Sequence, residues 1–400
     1  MTPTDTRAPA RPRAAAALTA VLLAAGLGAP ARAGEADDRM YGRALDWLVA
    51  RQHPNGGFGQ VPGQAPGEIG ITGLVLKGLA DAPEPWRAKV RPAADKAAAF
   101  LLQHQKPDGS FAQGDVGLTN YRTSIAIMAL GALDRARYRD AINRAVSWLL
   151  GSQFDAEQEK IGPDSPHHGG FGYGHGDTPK PDADLSNTFL ALAALKDAGI
   201  GPDDPVFKRA ITFLERCQNS SETNPGVGGL KPLDDGGFMY DPGLDRNKSA
   251  VLEHADGTRS VVSYASMTYA GLMSMLHVGV TKDDRRVQAA LGWIRANYTL
   301  EENAGLGVRQ TSPQAAQQGL FYYYHTFAKT LAALGSPTVD TKDGPRPWAR
   351  DLCDALAARQ AEDGSFKNPH DRWWEADPVL VTAYVVNALN YARPFLGQGE

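Results

Sequence analysis

The stretch from Ala44 to Phe58, ALDWLVARQHPNGGF, returns five more times in altered form, and this recurrence restricts the fold more than any other feature of the chain. Ala44, Trp47, Leu48 and Gln52 fall on one helical face, and Asn55-Gly56-Gly57 breaks the helix before Phe58 folds back onto it. The second copy has Ala97, Phe100, Leu101 and Gln105 followed by Asp108-Gly109-Ser110-Phe111. The third has Ala145, Trp148, Leu149 and Gln153 with His168-Gly169-Gly170-Phe171 after a longer insert, and the fourth Ala210, Phe213, Leu214 and Gln218 with Asp235-Gly236-Gly237-Phe238. A fifth copy puts Tyr298 in the Gln position behind Ala290, Trp293 and Ile294, and the sixth has Leu352, Leu356, Gln360 and Asp363-Gly364-Ser365-Phe366. Copies at a spacing of roughly 60 residues indicate a repeat architecture.

Each copy is followed by a second segment, rich in Ala and Leu and nearly free of charge: Thr72 to Leu79, Thr123 to Leu130, Thr188 to Leu195, Thr268 to Met275, Thr326 to Leu334 and Thr382 to Leu389. A helix apolar on most sides must be buried on most sides, whereas the first segments carry Arg43, Asp46, Arg51, Lys96, Arg144 and Arg209 for water. Twelve helices alternating outer and inner predict an all-α fold, an α6/α6 toroid. Closure of the ring removes any need for special capping repeats at its two ends. The turn between paired helices places Asn55, Asp108, His168, Asp235, Asn303 or Asp363 ahead of a Gly, residue types that tolerate left-handed backbone and bond to nearby amides. His168 therefore reads as a turn residue, not as a metal ligand beside His167, His175 and Asp177. The repeated Gln reads as a group that satisfies backbone at the helix end.

Arg7, Arg11 and Arg13 precede an apolar run from Ala14 to Gly28, and Ala31-Arg32-Ala33 offers small residues where a signal peptidase reads. Residues 1–33 are expected to be a cleaved export signal and 34–400 a single toroid domain, exported to the periplasm or beyond. The run is shorter than the roughly 20 residues of a spanning helix, and no other stretch suits one, so no membrane span is expected in the mature chain. A formal net charge of −4 argues against a nucleic-acid partner, which would normally require a basic face. Cys217 and Cys353 are the only cysteines, and with no CxxC or Cys/His spacing for zinc they read as two free buried thiols.

The repeated Q-x-x-D-G-S/G-F followed by T-x5-A-L resembles the squalene cyclase and protein prenyltransferase superfamily, over about Met40 to Arg393. The resemblance implies an α/α toroid whose central cavity binds isoprenoid chains. Tyr324-His325-Thr326 looks like the Y-H-T of prenyltransferase β-subunits, in which the His is a zinc ligand. The companion D-x-C falls on Val262 and Tyr264, or one residue earlier on Val261 and Ser263, and neither register supplies an anionic ligand. A lone neutral His does not make a three-ligand catalytic zinc site, so no metal and no cofactor are expected. The D-x-D-D-T acid motif of squalene-hopene-type cyclases corresponds to Asp182 to Thr188. Alignment on Thr188 puts Asp184 at the first Asp, Ser186 at the acid and Asn187 at the last Asp.

The mouths of the inner helices carry the candidate site: Arg122, Ser186, Asn187, Tyr264, Tyr323 and Tyr324 as ligand-binding residues, with Asp184 and His325 as candidate proton donors. Two functions are expected from this set. One is an exported repeat protein that binds an isoprenoid, another apolar small molecule or a protein partner, without the complete zinc site or acid motif of the known enzymes. The other is a terpenoid-modifying enzyme of cyclase or isomerase type using Asp184 or His325 as acid, with tyrosine faces stabilising cationic charge. A carbohydrate-active toroid is disfavoured, because Asp203-Asp204, Asp234-Asp235 and Asp283-Asp284 read as turn or helix-start residues.

Overall fold

The computed structural model describes residues 33–398 apart from 61–62, 64, 115–116, 158–159, 175–180, 227–228, 311 and 313. The expected signal therefore lies, except for its last residue, outside the described residues, as do His175 and Asp177. Outer helices α1 (Ala33–Val49), α3 (Trp86–Gln103), α5 (Arg139–Leu150), α7 (Pro205–Cys217), α9 (Arg285–Asn297) and α11 (Trp348–Ala357) alternate with inner helices. The inner set is α2 (Ile69–Ala80), α4 (Thr119–Asp134), α6 (Leu185–Asp197), α8 (Ala265–His277), α10 (Leu320–Leu334) and α12 (Pro378–Ala392). Each inner helix packs between two others, and α12 packs against α2, so the inner ring closes as the repeat pattern requires. The division follows polarity. On α6 nearly every residue from Leu185 to Leu195 is buried, whereas α5 buries only the stripe Ala141, Ile142, Ala145, Val146 and Leu149. Two short hairpins, β1 (Val251–Glu253) with β2 (Arg259–Val261) and β3 (Val339–Thr341) with β4 (Gly344–Arg346), are additions that helical periodicity does not announce.

The repeated residues tie neighbouring copies together. The side-chain amide of Gln52 donates to the carbonyl of Gly56 in its own turn (3.0 Å) and to that of Ala93 in the next outer helix (2.8 Å). Gln105 does the same to Gly109 and Ala141, Gln153 to Gly169 and Val206, and Gln218 to Gly236 and Arg286. Gln360 completes the circuit with Gly364 and Met40, joining the last copy to the first. Gln is thus a staple between units, a wider role than satisfying its own helix end. Tyr298 in the fifth copy still reaches the next outer helix, by donating its hydroxyl to Asp351 at 2.8 Å.

The inner Thr has an equally regular role. Thr72, Thr123, Thr188, Thr268 and Thr382 each accept the backbone N–H of the turn phenylalanine, at 2.8 to 3.1 Å. This fixes the rotation of the inner helix and hence which residue faces the ring axis. Connections from outer to inner helices are the long ones, so inserted loops gather at the end of the ring where the inner helices begin. Cys217 and Cys353 are both buried and unpaired.

Candidate functional site in the ring axis

Five inner helices place the residue two before their Thr at the axis: Gly70, Tyr121, Ser186, Ser266 and Leu380. Tyr121 lies over Gly70, where a side chain would collide with its ring. The last four of these, with Tyr322 and Tyr384, wall a cavity of about 250 Å³ at the N-terminal ends of the inner helices. The loops add Tyr173, Tyr240, Tyr264, Trp373 and Trp374. Two contacts span the axis. The Ser186 and Tyr322 hydroxyls meet at 2.9 Å, from α6 to α10, and the Tyr121 and Tyr384 hydroxyls at 3.5 Å, from α4 to α12.

Below this level the axis is filled by side chains. The Lys329 ammonium of α10 sits 5.0 Å over the ring of Phe189 on α6, and His325 stacks on Tyr384 with ring centres 5.6 Å apart. The chamber therefore has a floor and opens toward the inserted loops. Trp373 and Trp374 stand there in left-handed backbone (φ 55° and 67°), each about two-fifths exposed.

The electrostatics of the chamber come from how the inner helices begin. The Glu68 carboxylate accepts the N–H of Ile71 (2.7 Å), Asp184 that of Asn187 (2.8 Å), Asp377 that of Val379 (2.7 Å), and Glu375 that of Tyr322 (2.8 Å). Glu68 is held by the Arg122 guanidinium at 2.8 Å. Burial pushes the Asp184 carboxyl up to about 6, against the opposing pull of its bonds from Asn187 and of Arg246. Burial likewise pushes Glu375 up to about 7, although Asn368 and the first amides of α10 bond to it. Asp184 also accepts a bond from Tyr240, whose hydroxyl meets that of Tyr173 at 2.8 Å, so a chain of hydroxyls runs from a buried acid to the wall of the chamber.

These shifts give a pH dependence of stability. Between their unfolded values near 4 and their folded values near 6 and 7, Asp184 and Glu375 bind more protons folded than unfolded. Their contribution is therefore largest below about pH 4 and is lost as pH rises through 7, by an amount on the order of a few kcal/mol. Asp284, held down to about 2 chiefly by Arg286, acts in the opposite sense but only as pH falls toward that value. Burial holds His325 and His277 uncharged and works in the opposite sense over the same range, so the acids are read by difference: between pH 5 and pH 8 the denaturation midpoint of the wild type, followed by circular dichroism, is expected to fall relative to that of Glu375→Gln. A midpoint that shifts in parallel in the two proteins would contradict the buried-acid assignment.

Of the residues picked from sequence, Ser186, Asn187 and Tyr264 line the chamber, and Asp184 lies fully buried behind its wall. The others do not line it. Arg122 is buried against Glu68 and the Gln113 carbonyl, and Tyr323 and Tyr324 turn outward to the carbonyls of Thr299 and Leu300. His325 lies in the floor, where burial, with Lys329 and Lys77 nearby, pushes it down to about 3. It is uncharged near neutral pH and has no proton to give as an imidazolium. Sequence reasoning passed over Tyr322, Tyr384, Tyr173, Tyr240 and Glu68. His168 bonds the Ile161 carbonyl at 2.9 Å, and among the described residues no three His, Cys, Asp or Glu side chains converge as a metal site. Asp204, Asp235 and Asp284 accept helix-start or turn amides, as turn chemistry suggests.

A profile of the prenyltransferase alpha-alpha toroid domain matches the chain over residues 21–196, 122–243 and 190–389. Among curated proteins, a drimenyl diphosphate synthase from Streptomyces showdoensis is 27% identical over 226 residues, which is 54% of this chain but only 37% of that protein. The chain thus spans little more than a third of the relative's length. Among solved structures, the type II terpene cyclase MstE from Scytonema, in complex with geranylgeranyl dihydroxybenzoate, superposes with a TM-score of 0.56 over 90% of this chain and 99% of that one, at 15% identity. A GH76A alpha-1,6-mannanase from Salegentibacter sp. HEL1_6 gives 0.51 at 11% identity, covering 89% and 99%. These likenesses to solved structures speak to fold alone. With its closed inner ring and a family match over almost its whole described length, the chain belongs to the prenyltransferase alpha-alpha toroid domain family.

Proposed function

We propose that this chain takes up an isoprenoid or other apolar terpenoid in the axial chamber, and that it does so as an exported protein without the zinc site or D-x-D-D acid of the known enzymes. The observation that carries this reading is the chamber: a floored cavity on the ring axis walled by tyrosine and tryptophan rings with a few hydroxyls among them. Such a lining buries a hydrocarbon and orients one polar group, the usual composition of a small-molecule site. Ser186 stands where the acid of the cyclase motif would be, and its hydroxyl is engaged by Tyr322. Export rests on the basic and apolar residues of the leader alone.

A second reading, an acid-initiated terpenoid cyclase or isomerase, is favoured by one observation. Asp184 holds its proton to about pH 6 and connects through Tyr240 and Tyr173 to the chamber. Mass spectrometry of the organic extract of the natively purified protein tests both. The binding reading expects a terpenoid near one per chain, and its absence from extracts made at several stages of purification would count against it. The enzymatic reading further expects a supplied terpenoid to be converted by the wild type and not by Asp184→Asn, and unchanged terpenoid in both would remove it.

A further inference from the structure

Resting on the proposed function, we infer that the ligand is an uncharged terpenoid of about ten to fifteen carbons and not a prenyl diphosphate. Helix N-termini with free amides are the usual cradle for a phosphate group, and six of them face the loop end of this ring. The chain's own carboxylates already occupy four: Glu68 on α2, Asp184 on α6, Glu375 on α10 and Asp377 on α12. A fifth, α8, donates the N–H of Ser266 to the Asn303 side chain at 2.9 Å. A diphosphate brought here would meet carboxyl groups where it needs free amide donors.

The cations nearby are engaged as well, Arg372 at the mouth by the Gln318 side chain and the Trp373 ring. Arg122 is buried against Glu68, and Arg246 lies 3.1 Å from Asp241 and 3.7 Å from Asp184. Lys248 is the one cationic side chain among the described lining residues, against two acids, Glu68 and Glu375, and its ammonium rests 4.7 Å over the Tyr240 ring. A single lysine facing two carboxyl groups is a poor clamp for two phosphates. The hydroxyls of Ser186 and Tyr322, in contrast, suit an alcohol, phenol or carbonyl oxygen.

Size sets the carbon count. An engineered cavity of about 150 Å³ accepts benzene. By that ratio the 250 Å³ chamber holds about ten non-hydrogen atoms. The floor made by Lys329, Phe189 and His325 prevents a longer chain from threading the ring, so extra carbons must emerge at the loop end, past Trp373 and Trp374.

The full chain, titrated separately with geraniol, farnesol, geranylgeraniol and farnesyl diphosphate while tryptophan emission is recorded, tests this. Farnesol or geraniol is expected to bind at least tenfold more tightly than farnesyl diphosphate, and geranylgeraniol no more tightly than farnesol. Tighter binding of the diphosphate than of farnesol would overturn the charge assignment while leaving the chamber as a terpenoid site. Preference for geranylgeraniol would overturn the size. Binding of none of the four, with the protein folded, would overturn the inference together with the function on which it rests.

Discussion

Replacing Ser186 by Trp is expected to lower terpenoid binding at least a hundredfold while leaving the protein folded. The side chain stands in the first turn of α6 and faces Tyr322 across the axis. An indole in place of the hydroxymethyl group adds roughly 200 Å³ at the density at which cavities hold aromatic ligands, most of the 250 Å³ available. The cost to folding is small, because one part-buried hydroxyl pair is worth about 1 kcal/mol and the capping bond from Asn187 to Asp184 is untouched. Titration with farnesol, alongside a far-ultraviolet spectrum showing native helix content, checks the result. Undiminished binding by a folded variant would place the ligand elsewhere.

Replacing Gly169 by Ala is expected to cost about 2 to 6 kcal/mol, enough to threaten a fold whose total stability is of order 5–15 kcal/mol. Two independent penalties combine. The backbone has φ +85°, a region that costs a residue with a Cβ about 1–3 kcal/mol. The added methyl would also fall on the Arg209 carbonyl within α7, and a regular helix cannot yield there without losing its own bonds; overpacking of that kind adds about 1–3 kcal/mol. The same turn supplies the carbonyl that Gln153 staples to Val206, so a displaced turn also disturbs the joint between two copies. Gly162→Ala is the matched control, since open space surrounds that position, and its midpoint in denaturant should stay within about 0.5 kcal/mol of wild type. Equal midpoints for the two variants would show that the turn does not need its glycine.

The repeat made the architecture legible, because one physical solution is used again and again. The Gln amide reaches the next outer helix, the Gly turn lies against it, and the inner Thr receives the turn's amide. The same Thr decides which residue faces the axis. It fixes the position two residues earlier, where Tyr121, Ser186, Ser266 and Leu380 stand. In the fifth copy the rule fails. Thr326 bonds the carbonyls of Tyr322 and Tyr323 on its own helix instead of a turn amide, so α10 is rotated and Tyr322 faces the chamber where Tyr324 was expected.

Loop residues were harder still. Tyr173, Tyr240 and Glu375 belong to inserts without repeated spacing, and only their folded positions bring them to the axis. Glu375 follows Trp373 and Trp374 in the insert between α11 and α12. Its carboxyl caps a helix that begins half a hundred residues earlier, a relation that no local pattern encodes.

The chamber as a terpenoid site is the central claim, and a paired extraction tests it most directly. Wild-type protein and Ser186→Trp are purified from the same native fraction, and their organic extracts are compared by mass spectrometry against protein concentration. A terpenoid near one per chain is expected in the wild type and little or none in the variant. Equal amounts in both, or none in a wild type that also fails to bind farnesol, would contradict it.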